Sequence, residues 1–135
     1  MRRIACLTAM LVAGAQFGAL FGNAAFAHHS TNGLYNEDEV VELIGTVKEW
    51  RFINPHPSLT IEVEGPDGQI EDWDISYGGP AVTHLKGMGY TAETFKPGDI
   101  VVVHGYAARV KTAHGLLIVG HPTHEDGSPI VSGGP

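Results

Sequence analysis

The 135-residue sequence has one cysteine, Cys6, so no intrachain disulfide can staple the fold. Positive charge is also scarce, with 8 Lys plus Arg against 15 Asp plus Glu and a net charge of −7. Phosphate binding needs clustered basic side chains, so neither nucleic acid nor an anionic membrane is expected as partner. Past residue 27 no apolar run approaches the roughly 20 residues of a membrane-spanning helix. The length excludes a barrel of eight βα units, which needs about 250 residues. Absent too are a nucleophile elbow, a phosphate-cradling loop, a dinucleotide fingerprint and a His-Glu-x-x-His pair. Nothing in the residues recommends a hydrolase.

The amino terminus has a three-part layout. Met1-Arg2-Arg3 is basic, Ile4 to Leu20 is apolar apart from Thr8 and Gln16, and Ala25-Phe26-Ala27 places small residues at −3 and −1 of a cleavage site. This pattern predicts a secretory signal peptide over residues 1–27, cleaved after Ala27, and a periplasmic or secreted product. Cys6 leaves with it, as do two arginines and no carboxylate, so the remaining 108 residues carry a charge of −9. Residues 28–38 read as an extended leader, 39–121 as the folded domain and 122–135 as a polar tail.

Short runs of period-two hydrophobicity, parted by Gly and Pro, predict strands over Val40–Phe52, Ser58–Glu64, Gln69–Tyr77, Ile100–Val110 and Leu116–Gly120. Gly65-Pro66-Asp67-Gly68 turns the second into the third, and Gly45 marks a bend or bulge in the first. Proline 80 opens a short helix carrying Val82, His84, Leu85 and Met88, and Thr91 caps a further turn. Five strands with one helix between the third and fourth give an all-β fold, a small five-stranded OB-like barrel. An SH3-like barrel or small sandwich is the alternative. Trp50, Phe52, Trp73, Tyr77, Tyr90 and Tyr106 are read as core, with a ligand-stacking groove as the other use. The acidic residues Glu62, Glu64, Glu71, Asp72 and Asp74 are read as a solvated face.

Histidine is over-supplied: all eight lie past residue 27. Cleavage after Ala27 makes His28 the first residue, and its α-amine and imidazole then form a chelate. The neighbouring His29 offers amine, amide and imidazole nitrogens in one plane. Both arrangements suit Cu(II), which prefers tetragonal nitrogen sites and leads the divalent affinity order. His56, held in Asn54-Pro55-His56-Pro57 between two backbone-restricting prolines, is the proposed third ligand. His121-Pro122-Thr123-His124 is a weaker signal. The residues thus predict a non-enzymatic small-ligand-binding domain, with a copper ion held by His28, His29 and His56. A metal-free interaction module of the cell envelope is the rival, and a copper oxidoreductase a third reading.

Several of these elements recur together. Ala27-His28-His29-Ser30 after the leader, Gly45-Thr46-Val47 leading through Trp50 to Asn54-Pro55-His56, and Lys96-Pro97-Gly98-Asp99 before Val103-His104-Gly105-Tyr106 resemble the small exported bacterial proteins of domain-of-unknown-function family 6152. The resemblance implies a compact, exported, barrel-like domain and carries no activity. Thr31-Asn32-Gly33-Leu34 and Glu125-Asp126-Gly127-Ser128 depart from the pattern expected there.

Overall fold

A computed structural model describes residues 33–79 and 82–131. His28 and His29, with the rest of residues 1–32, lie outside the described residues. Five strands form the fold: β1 (Val41–Arg51), β2 (Ser58–Glu64), β3 (Ile70–Ser76), β4 (Ile100–Ala107) and β5 (Gly115–Ile118). One short helix, α1 (Val82–Gly87), lies between β3 and β4. The strands close into a barrel in the order β1-β2-β3-β5-β4, with β3 and β5 parallel and every other pair antiparallel. The OB-like expectation holds, and closure leaves no long edge for another chain to pair with.

Alternation fills the interior. Val47, Leu59, Ile61, Ile75, Val101, Val103 and Leu116 are buried and form one cluster. Leu85 of α1, with Tyr90 and Phe95 from the segment after it, joins the same cluster. The strong bulge in β1 falls between Val47 and Glu49 rather than at Gly45. Gly45 is needed for a different reason: a Cβ there would lie 2.8 Å from the Glu62 carbonyl oxygen. Gly105 is tighter still, since its Cβ would lie 2.3 Å from the Leu117 carbonyl oxygen. Both glycines let neighbouring strands coil close together, as a small barrel requires.

Strand β4 is apolar on both faces, and the residues after β5 explain it. Val101 and Val103 point inward. Val102 points outward and is still buried, because Thr123 exchanges two backbone hydrogen bonds with it, at 2.9 and 3.0 Å. Val131 then packs into the core cluster. The described part of the C-terminal stretch thus has no regular strand, yet it covers the barrel wall. Glu125–Ser128 still makes a turn, with the Ser128 N–H and hydroxyl both donating to the Asp126 carboxylate. These bonds hold the Asp126 pKa below the usual carboxylate range.

The aromatic residues divide. Tyr90 is buried, and Trp50 packs edge-on to Phe95 and stacks on Phe52. The Trp50 ring N–H also donates to the Thr91 carbonyl at 2.8 Å. Trp73 packs against the core cluster, as Trp50, Phe52 and Tyr77 do. It is half-buried at the rim, with its ring stacked on His114 at 5.4 Å between centroids and 14° between planes.

Candidate functional site

Two loops and the incoming chain converge on β3. The β1–β2 loop carries Asn54-Pro55-His56-Pro57, and the β4–β5 loop runs from Ala108 to His114. Residues 34–36 run alongside the end of β4. Asn36 N–H donates to the Ala107 carbonyl, Arg109 N–H donates to the Leu34 carbonyl, and Tyr35 bridges Ala108. In an OB-type barrel this is the face that takes ligands, because both loops rise over the β2–β3 surface.

Asn54 has a structural task in its loop. Its side-chain oxygen accepts the Val82 N–H at 3.1 Å, satisfying an otherwise unpartnered donor in the first turn of α1. Pro57 is buried, whereas His56 is exposed and free to reach a ligand. His56 lines a cleft of about 390 Å³ with Tyr35, Ser58, Asp74, Ala108 and Val110, among others. A smaller adjoining cleft of about 240 Å³ adds Tyr77 and Leu117. Leu34 and Val110, at 67% and 66% exposed, give the mouth an apolar lip.

Beyond Ala108 and Gly115 the face continues into a larger cleft, about 640 Å³. Trp73 and His114 form its wall, and Glu39, Glu71, Arg109 and Lys111 surround them. His114 adopts the left-handed conformation, φ 43° and ψ 45°, which is uncommon for a side chain-bearing residue and clusters at functional positions. Its Nε2 lies 3.7 Å from the Glu71 carboxylate, and its carbonyl accepts the Asp74 N–H. The loop is thereby stitched to β3 on the line where β3 and β5 begin to pair. An aromatic plate beside mixed charges suits a small polar molecule with a flat or ring-shaped apolar surface.

The acidic hairpin is a surface feature. Glu62 and Asp72 stand directly opposite each other across β2 and β3, an unfavourable pairing of like charges. Lys48 of β1 answers it, hydrogen-bonded to Asp72 and 3.9 Å from Glu62. That hydrogen bond raises the Lys48 pKa. Among the described residues no three His, Cys, Asp or Glu side chains form a metal-holding group.

Of the three copper ligands expected from sequence, His56 alone falls among the described residues. The structure brings it beside Leu34 and Tyr35, the start of the described chain. The stack of Trp73 on His114 was not legible in the sequence. The two residues are 41 positions apart, and Ala113-His114-Gly115 has no spacing that would flag it.

The sequence matches the model of a family of unknown function, DUF6152, over residues 19–118. The chain belongs to this family. The match takes in His28, His29, His56 and all five strands of the DUF6152 barrel. No curated protein matches the sequence.

Proposed function

We propose that this DUF6152 chain is an exported, non-enzymatic domain that binds a small ligand on its β3 face, with a copper ion held at one end by His28, His29 and His56. One observation carries the reading: Leu34 and Tyr35 line the same clefts as His56. Four residues lie between His29 and Leu34, five steps of chain that reach up to about 17 Å when extended. An amino-terminal chelate formed after cleavage at Ala27 thus has His56 within range as a third nitrogen. Three nitrogens in a T-shaped arrangement suit Cu(II). The exposed imidazole of His56, on a loop fixed by Pro55 and Pro57, supplies a ligand that needs little ordering on binding. The 640 Å³ cleft beside Trp73 supports the metal-free alternative, a small-molecule-binding module of the cell envelope.

The test is a single covalent change. Exported protein beginning at His28 is compared with a form extended to begin at Ala27. The extension keeps every imidazole and destroys the ring between the α-amine and His28. Cu(II) affinity should fall at least tenfold, about 1.4 kcal/mol. His56→Ala in the native-start protein should also weaken binding, whereas His104→Ala should not. His104 is instead paired with Glu42 at 2.9 Å on the β1–β4 surface. Equal affinity for the native and extended forms would refute the chelate and leave the metal-free module as the reading.

A further inference from the structure

A second set of soft donors meets on the other side of Tyr77. His84, Met88 and His121 line one small cavity of about 240 Å³, with Tyr77 in its wall. His84 and Met88 are one helical turn apart: Met88 N–H donates to the His84 carbonyl at 3.3 Å, so their side chains share a face. His121 comes from just past β5, 33 residues after Met88 in the chain. Only the packing of α1 against the barrel brings them together.

The His121 ring is held from behind. Its Nδ1 lies 2.8 Å from the Tyr90 hydroxyl, and the two rings pack at 5.7 Å. With Nδ1 engaged, Nε2 is the nitrogen left for a ligand, and metal-binding imidazoles are oriented in this way. Tyr90 is only 1% exposed, so the hydroxyl that holds the ring is itself fixed in the core. The buried Tyr77 hydroxyl faces that of Tyr90, and the two rings meet edge-on at 5.7 Å.

We propose that His84, Met88 and His121 form a binding site for Cu(I). The donor set is two neutral imidazoles and a thioether, and no carboxylate lines the cavity. Hard cations such as Ca²⁺ and Mg²⁺ require oxygen ligands. A thioether adds little for Zn²⁺ and selects Cu(I), and a monovalent ion needs less compensating charge. His84 is exposed, which gives the ion a path from solvent. The site is independent of the amino-terminal chelate. It shares only Tyr77 with the clefts around His56.

Methionine 88 makes the test direct. The sequence has three methionines, and Met1 and Met10 fall in the predicted signal peptide. The exported protein then has a single methionine methyl resonance. Under anaerobic conditions one equivalent of Cu(I) should shift that resonance, and one equivalent of Zn²⁺ should leave it in place. In competition with a chromophoric Cu(I) chelator, Met88→Leu and His121→Ala should each weaken binding at least tenfold. Met88→Leu conserves volume where Met88 packs against the core, so its fold is retained. His56→Ala and the Ala27-extended form should keep the methyl shift, which separates this site from the copper chelate. A methyl resonance unmoved by Cu(I), an equal shift with Zn²⁺, or Met88→Leu binding as tightly as wild type would each overturn the proposal.

Discussion

Trp73→Ala removes the ring that walls the 640 Å³ cleft, and its cost follows from how the ring is placed. A fully buried tryptophan removes about 150–250 Å² from water. Trp73 is half-buried and packs on the core cluster from outside. Roughly 100 Å² at about 25 cal/mol per Å² gives ~2.5 kcal/mol. The near-parallel stack on His114 contributes up to about 1 kcal/mol more. Because the ring lies at an open rim, its loss leaves no closed void, and the extra penalty of a cavity does not apply. Urea unfolding at neutral pH should therefore show a loss of about 2.5–3.5 kcal/mol. Ile75→Ala, at a position 0% exposed, should lose as much from a much smaller side chain, because it leaves a sealed void. A double-mutant cycle with His114→Ala should return a coupling of about 0.5–1.5 kcal/mol. A loss above 4 kcal/mol for Trp73→Ala would place the ring in the core. A loss below 1 kcal/mol, or zero coupling, would mean that the stack holds nothing in place.

Two other outcomes follow from the interior. Gly105→Ala puts a methyl 2.3 Å from a backbone oxygen of β5, which cannot swing away as a side chain would. It should cost about 1–3 kcal/mol by forcing β5 from β4, and an unchanged thermal midpoint would disprove the close approach. High pH should also weaken the fold. Tyr77 and Tyr90 have folded-state pKa values above the usual 10.0, in both cases chiefly from burial, so the native state holds protons that the unfolded chain releases. Their contribution is complete below pH 10 and is lost as pH rises toward 12 and above. Tyr90→Phe should flatten that decline in unfolding titrations, and an equally steep decline would rule the residue out as its source.

Much of the barrel was legible because its strands obey period two. Leu59, Ile61 and Val63 against Thr60, Glu62 and Glu64 announce a strand with one wet face, and Gly65-Pro66-Asp67-Gly68 fixes where it turns back. Proline 80 and the spacing of Val82 and Leu85 announce the helix. Two contacts escaped the sequence for a common reason. Trp73 shares a face with Ile75, yet it precedes the stretch of β3 that pairs with the short β5, and the ring that stacks on it comes from the β4–β5 loop. His121 gave only a weak signal in the sequence, because its partner Tyr90 is 31 residues away. The His56 loop was marked by its prolines, and its cleft was not, because the other walls come from residues 34–35 and 108–115.

The sequence by itself determined the five strands, the helix between the third and fourth, the chain's membership of its family and the prominence of histidine. Those properties are written locally, in periodicity, turn chemistry and short motifs. The tertiary structure alone decided which strand edges meet. Parallel pairing of β3 with β5 and closure of β4 on β1 set His56 beside Tyr35, and His114 over Trp73. Packing of α1 and the segment after β5 on the barrel put His84, Met88 and His121 around one cavity. A two-residue period reports which side of a strand faces inward. It carries no information about the partner across the gap, because that choice is made by burial summed over the whole barrel.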